Sequence, residues 1–143
     1  MADFKQYDPG LIAISFSGVQ ILGFMDGTFV TCERAEDAFA LAVGAGGDTT
    51  RVRSRNRSGT VTVTLKAESP TNDTLSAIAK SDELFGDGVG TLMVKNINGT
   101  TIVEAESAWI KKLPNVEYGD AASGREWMFD CAELIMLVGG AVV

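Results

Sequence analysis

The sequence has 143 residues, of which 45% are hydrophobic, 12 are basic and 19 are acidic, and its formal net charge is −7. This length and apolar content suit one domain, residues 1–143, with a buried core, and they exclude a disordered chain. The acidic balance argues against nucleic-acid binding by the whole domain, because affinity for phosphate comes from clustered Lys and Arg. Histidine, the most common general base, is absent from the sequence.

The N-terminal part of the chain predicts short β-strands. Residues 12–16 alternate large apolar and small side chains, which is typical of a half-buried strand. Residues 20–24 again have an extended pattern, and Asp26-Gly27 predicts a hairpin turn. Residues 28–32 are rich in β-branched and aromatic side chains, so we expect a further strand there.

Residues 33–43 allow two interpretations. Their Ala, Glu and Leu content suits a helix, whereas the apolar residues at every second position from 39 to 43 suit a strand. The glycine-rich turn that follows favours a hairpin into residues 49–53. We therefore predict a strand over residues 38–43.

The most basic stretch of the chain lies within residues 48–60. Four of the 12 basic residues stand there at every second position, namely Arg51, Arg53, Arg55 and Arg57. Residues 60–65 follow, in which Val or Leu alternates with Thr, and this period of two predicts a strand. The pattern as a whole indicates a strand, a basic turn and a second strand.

One helix is predicted, over residues 70–81. Ser69 is a good N-cap, and Pro70 suits the first helical turn. Apolar residues at positions 75, 78 and 79 then follow at helical spacing.

The C-terminal half returns to β structure. The Asn-Gly pair at 98–99 is a strong hairpin signal and joins a strand over residues 91–96 to a longer one over 100–112. Residues 125–131 alternate again, and residues 134–138 can continue the sheet.

About eight short strands and one helix predict a mainly β domain, with two packed antiparallel sheets in a sandwich or barrel and the helix at its flank. Large apolar residues on alternating strand positions are expected to share its core. They are Val61, Val63, Leu65, Trp109, Trp127 and Phe129.

No catalytic, cofactor or metal site is predicted. Without histidine, no residue stands out to activate a nucleophile. The spacing of Cys32 and Cys131 fits neither a zinc site nor a redox pair, so we expect buried, reduced and unpaired thiols.

Met1–Lys5 lacks the apolar stretch of a signal peptide, and the apolar run at 134–143 is too short to cross a bilayer. We expect no membrane anchor.

The arginine row has three interpretations. Four like charges on one strand face repel each other, which is unfavourable unless acidic groups lie opposite, and another copy of this acidic chain supplies them. We therefore expect the hairpin 48–60 to project from the sheet and Arg51, Arg53, Arg55 and Arg57 to contact a neighbouring subunit. The second interpretation is a solvated edge protected from aggregation by its charge, and the third is nucleic-acid binding.

Four segments of the chain are similar to the tail tube proteins of contractile-tailed bacteriophages. They are DGTFVTCERAEDAF, TTRVRSRNRSGTVTVTLKAESPTNDTLSAI, ESAWIKKLPNVEYG and REWMFDCAEL. The resemblance extends over residues 10–135 and implies a tail-tube fold related to the tube proteins of type VI secretion and pyocins. It also implies a virion structural protein whose hexameric rings stack into a hollow tube inside a contractile sheath, through which the genome is delivered.

The resemblance further implies the partners of the protein. They are a sheath protein, baseplate and tail-terminator proteins, and DNA in transient passage through a lumen, with assembly in the host cytoplasm and no cofactor. An acidic lumen would keep DNA from adhering to the wall. The alternative is a monomeric β-sandwich binding module that uses the basic hairpin 48–60 for an acidic ligand. An enzyme is the third possibility and would need a nucleophile or metal site.

Overall fold

The computed structural model describes residues 6–140, so the expectation for Met1–Lys5 lies outside the described residues. The strands are β1 (Ile12–Phe16), β2 (Val19–Gln20), β3 (Val30–Arg34), β4 (Phe39–Val43), β5 (Thr49–Arg53), β6 (Gly59–Lys66), β7 (Gly90–Asn96), β8 (Ile102–Lys112), β9 (Gly124–Cys131) and β10 (Ile135–Leu137). A short 3-10 helix spans Pro9–Leu11, and the α-helix, α1, spans Thr71–Phe85. The prediction of a mainly β chain with one α-helix is confirmed.

Eight strands form one antiparallel sheet in the order β2-β1-β7-β8-β9-β6-β3, and β10 also pairs with β8. β4 and β5 form a separate two-stranded sheet. The strand predicted over residues 38–43 is therefore confirmed, as is its hairpin partner over 49–53. The Asn-Gly hairpin is confirmed as well, since Asn96 and Thr101 meet where β7 turns into β8.

The core lies between two halves of the large sheet. Phe16 of β1 packs on Phe129 of β9, with ring centroids 4.9 Å apart, although β7 and β8 separate these two strands in the hydrogen-bonded order. The sheet is therefore folded over into two facing layers. Five of the predicted core residues are fully buried in it, namely Val61, Val63, Leu65, Trp127 and Phe129.

Trp109 is the exception among the predicted core residues. Leu92 of β7 pairs with Ala105, but Gly90 pairs with Ala108, so β8 holds one extra residue at this point. Such a bulge exchanges the two faces of a strand beyond it. Trp109 is consequently half-buried on the outer face, opposite Asp130, and the prediction that it joins the core was wrong.

The predicted hairpin turn at Asp26-Gly27 was also wrong. Phe24 bridges to Leu65, and β3 begins at Val30 opposite Val63, so the segments on both sides of the turn pair with β6 in succession. They do not pair with each other. The Asp-Gly pair therefore lies in a loop between two segments that both pair with β6.

Helix α1 is attached to the sheet through its N-terminal turn. The Ser69 hydroxyl donates to the Leu22 carbonyl over 2.7 Å and accepts from the Thr71 amide over 3.3 Å. The helix extends beyond the predicted end at residue 81 and stops at Gly86, whose φ of 67° lies in the left-handed region that favours glycine. One face of α1 lies beside the segment that follows β8.

Candidate assembly interface

β4 and β5 form a ribbon that stands apart from the large sheet. Phe39 pairs with Arg53, and Val43 pairs with Thr49. Every residue of both strands is exposed. The projecting hairpin was expected over residues 48–60, and its bounds were wrong: β5 pairs with β4 rather than with β6, so the hairpin that stands apart from the large sheet spans residues 39–53.

The ribbon is an extension of the β3–β6 pairing. Arg34 pairs with Gly59 at the end of β3, and the Ala35 amide donates to the Ser58 carbonyl over 3.0 Å. Pairing then lapses until the Ser54 amide donates to the Ala38 carbonyl over 2.8 Å. Because the two sides of the break contain unequal numbers of residues, the ribbon departs from the line of the sheet.

One face of the ribbon combines apolar side chains with arginines. Residues directly opposite one another in an antiparallel pair share a face. Leu41 and Val43 are therefore on the face of Arg51 and Arg53, with exposed fractions of 73% and 63%. Phe39, on the same face, lies under the Arg51 guanidinium, whose central carbon is 3.5 Å from the ring centroid.

This face is energetically unfavourable in an isolated molecule. A two-stranded ribbon with no layer packed against it is only marginally stable in water. Contiguous exposed apolar side chains commonly mark a surface that is covered in an assembly. The cation–π contact between Arg51 and Phe39 provides local order, worth about 0.5–1 kcal/mol at an exposed site. The ribbon is therefore a candidate subunit interface.

The four predicted arginines do not form one strand row. Arg51 and Arg53 lie on β5, but the strand ends at Arg53, and Arg55 and Arg57 follow in an irregular segment. The expectation of four arginines on one strand face was therefore wrong. All four side chains are exposed, as a subunit contact requires.

Short polar side chains explain why the strand ends. The Asn56 amide donates to the Ser54 hydroxyl over 3.2 Å, and the Ser58 amide donates to Asn56 Oδ1 over 3.0 Å. Such local side-chain bonds offer the backbone an alternative to ladder pairing. The basic turn that the sequence indicated between the two strands is therefore confirmed over residues 54–58.

A further arginine, Arg34, lies at the base of the ribbon and was not singled out from the sequence. It lines a cleft of about 160 Å³ together with Arg53 and Arg57. Its Nε donates to the Leu134 carbonyl over 2.8 Å, while the Leu134 amide donates to the Arg57 carbonyl over 2.8 Å. Leu134 thus connects the ribbon base to the segment between β9 and β10.

The two cysteines are free thiols on opposite sides of β6. Burial raises the pKa of Cys32. Burial, followed by the charge of Asp130 and the neighbouring Cys32, raises the pKa of Cys131 to about 11. Both groups are protonated at neutral pH, which makes them poor nucleophiles.

Among residues 6–140, no group of three or more His, Cys, Asp or Glu side chains could hold a metal ion. In the same part of the chain, no helix is both long and apolar enough to cross a membrane.

The family described as the bacteriophage PhiTE tail tube protein matches residues 12–139. The chain belongs to this phage tail tube family. A curated relative, structural protein ORF10 of Pseudomonas phage KPP10, is 27% identical over 142 residues, which cover 94% of this chain and 82% of the relative.

Solved structures share the fold of this tail tube family member. The sheath/tube terminator of an extracellular contractile injection system, PVC, has a TM-score of 0.68 at 14% identity, covering 96% of this chain and 100% of that one. The anti-feeding prophage tube-terminating cap has a TM-score of 0.66 at 8% identity, covering 96% and 94%. A chain of the PVC sheath–tube complex has a TM-score of 0.59 at 14% identity, covering 96% and 93%.

Family membership confirms the resemblance seen in the sequence. The protein is a structural component of a phage tail, and its family is one of tube proteins rather than enzymes. The tail-tube fold expected from the resemblance is also confirmed.

Proposed function

We propose that this tail tube family member forms hexameric rings that stack into the tube of a contractile tail. The observation that carries the proposal is the ribbon of β4 and β5, whose strand residues are all exposed although one face is apolar and basic. A second copy can cover such a face, because the chain carries 19 acidic residues against 12 basic ones. Repetition of that contact builds a ring and then a tube.

The arginines contribute orientation to this contact. Exposed ion pairs stabilise by only about 0–1 kcal/mol each, but a tube repeats them in every subunit. Arg34, Arg53 and Arg57 line one cleft at the ribbon base, and that cleft suits a carboxylate of the neighbouring copy. Leu41 and Val43 contribute the apolar surface that is buried in the contact, while the guanidinium groups favour an acidic surface on the partner.

The tube proposed here has an acidic lumen through which the genome passes. The outer face of β6 carries Thr60, Thr62 and Thr64. Glu33 and Asp130 stand on either side of Thr60 in the same row. A hydroxyl-rich, acidic wall repels phosphate weakly along its whole length, so DNA slides without adhering. We assign this face to the lumen.

The proposed partners follow from a place inside a contractile tail. A sheath protein surrounds the tube, a baseplate protein starts it and a terminator protein ends it. The protein is assembled in the host cytoplasm and remains in the virion. Similarity in fold to a sheath–tube complex and to terminator proteins supports this arrangement.

Cryo-electron microscopy of purified virions tests the proposal. We expect density of this fold in stacked six-membered rings along the length of the tail, and a copy number per virion that increases with tail length. Copies confined to one end of the tail would make the chain a terminator instead. A chain absent from virions, and monomeric when purified, would support the binding-module alternative.

A further inference from the structure

We infer that the C-terminal end of α1, residues 83–85, inserts into a cationic pocket of a neighbouring copy. The pocket lies between the middle of α1 and the segment that follows β8. This inference rests on the proposed assembly and adds a second contact to it, separate from the ribbon. It assigns a role to two features that the ribbon leaves unexplained.

The first feature is the pocket, which has a volume of about 380 Å³. Its floor is formed by Arg125 and Trp127 of β9, one wall is formed by a face of α1 that includes Lys80, and the other wall by Leu113, Val116 and Tyr118. The lining therefore combines two cations, one of them on the exposed residue Lys80, with several apolar groups and the polar side chains of Asn72 and Ser76. Among the lining residues in the described part of the chain, none is acidic.

Arg125 is the most unusual residue of the pocket. Its side chain is only 7% exposed, which is rare for a charged group. Both hydrogen bonds described for its guanidinium come from Nη1, to Ser123 Oγ at 3.0 Å and the Gly124 carbonyl at 3.1 Å. Its central carbon also lies 5.3 Å from the centroid of the Tyr118 ring. The remaining N–H donors suit a carboxylate, and a buried cation gains much from such a partner.

The second feature is the exposed end of the helix. Leu84 and Phe85 are 75% and 77% exposed, and Glu83 beside them is also exposed. An acidic residue followed by two large apolar ones matches a pocket with two cations and an apolar lining. Burial of both apolar side chains removes a large exposed area from water, which favours association.

The segment belongs to a different copy because of the geometry of α1. Lys80 of the pocket wall and Phe85 lie on one continuous helix that extends to Phe85. A rigid helix does not bend back to place its own end against its middle. Since the inserted end and the accepting pocket are different surfaces, the contact is heterologous and propagates from copy to copy until a ring closes.

A cysteine pair tests this contact in assembled tails. The double variant Leu84→Cys with Val116→Cys places one new thiol on the inserted end and the other on the pocket wall. After mild oxidation of assembled particles, we expect a ladder of covalent multimers on a non-reducing gel. The matched control, Leu84→Cys with Lys111→Cys, moves the second thiol to an exposed β8 position that does not line the pocket and should give no ladder.

A charge exchange provides the second test. Glu83→Lys and Lys80→Glu should each lower the yield of sedimenting tubes at least about tenfold, the effect of losing one charge-assisted contact per interface. The double exchange should restore the yield, and circular dichroism must show an unchanged helix in all three variants, because Lys80 and Glu83 are also neighbours three residues apart on α1. Glu106→Lys, on an exposed position of β8, is the control and should leave the yield unchanged.

The two proposals fail differently. If virions contain no rings of this chain along the tail, the proposed function is overturned. If tubes form but the variant Leu84→Cys with Val116→Cys gives only monomer after oxidation, or the charge variants assemble normally, the pocket contact is overturned and the tube remains.

Discussion

Trp127 and Asn72 connect the sheet to the helix through one hydrogen bond, in which the indole Nε1 donates to Asn72 Oδ1 over 2.9 Å. The Asn72 amide nitrogen donates to the carbonyls of Lys66, at 2.9 Å, and Ala67, at 3.3 Å. One side chain thus satisfies a buried indole and the carbonyls where β6 gives way to α1. It fixes the first turn of the helix and, through it, the wall of the cationic pocket.

Asn72→Ala should lower the free energy of unfolding by about 1–3 kcal/mol, because the Trp127 indole N–H would lose its acceptor in a buried site. Urea denaturation followed by circular dichroism measures the change. Asn115→Ala, at an exposed loop position, is the control and should have little effect. A loss no larger than that of the control would show that water replaces Asn72 at the indole.

The two tryptophans should respond very differently to truncation. Trp127→Ala removes a fully buried side chain, so we expect a loss of about 3–5 kcal/mol in the free energy of unfolding. Trp109 is half-buried on the outer face, and Trp109→Ala should cost only about 1–2 kcal/mol. If both variants lose the same free energy of unfolding in matched denaturation curves, the placement of Trp109 on the outer face of β8 is contradicted.

The contrast between these residues shows what alternation predicts and where it fails. Trp127 follows an uninterrupted period of two through β9, so the pattern alone placed it in the core. Trp109 follows a bulge, and the extra residue of the bulge moves it to the opposite face of β8. The bulge arises from the register of pairing with β7, and the sequence of β8 alone does not reveal that register. The local sequence determines whether a segment forms a helix or a strand. The side of the sheet on which a strand residue lies depends also on how that strand pairs with its neighbour.

The candidate interface, like the core, could be predicted from the sequence only in part. The basic character of Arg51 and Arg53 and the hairpin that carries them were evident from composition and period. The participation of Arg34 was not, because it reaches the ribbon base only through pairing with Gly59. The cationic pocket was equally invisible, since α1, β9 and the segment after β8 bring its residues together from distant parts of the chain.

Cys131 should make stability depend on alkaline pH. Its thiol has a folded-state pKa of about 11 against an ordinary value of 9.0, so between these values the folded state holds a proton that the unfolded state releases. The stabilisation is complete below pH 9.0 and is lost as pH rises toward 11. Denaturation midpoints across this range should fall more steeply for the natural protein than for Cys131→Val; parallel curves would contradict the assignment.

Both thiols should also remain reduced and unpaired. β6 separates the strands that carry Cys32 and Cys131, and their raised pKa values keep them as thiols. Intact-mass measurement of the native protein after alkylation should show slow modification, becoming rapid on unfolding, because the thiolate is the reactive form. A linked Cys32–Cys131 peptide in a non-reducing digest would overturn this prediction.

The strongest test of the ribbon reverses its charge. Arg53 lies on the apolar, basic face of β5, and Arg55 lies just beyond the end of that strand; both side chains are exposed. Replacing both with Glu should leave the fold intact, because neither belongs to the buried core. It should block tube assembly, since two attractive contacts per subunit become repulsive in a chain that is already acidic.

The matched control for that variant is Lys95→Glu with Lys111→Glu, which gives the same change in net charge at exposed positions of β7 and β8. Sedimentation and negative-stain microscopy measure tube yield, and circular dichroism verifies folding in both variants. Assembly of the natural protein should also weaken at high salt, because the Debye length falls to about 3 Å at about 1 M. If Arg53→Glu with Arg55→Glu still forms tubes of normal length while folded, these arginines form a solvated edge, and the subunits must hold together through other surfaces.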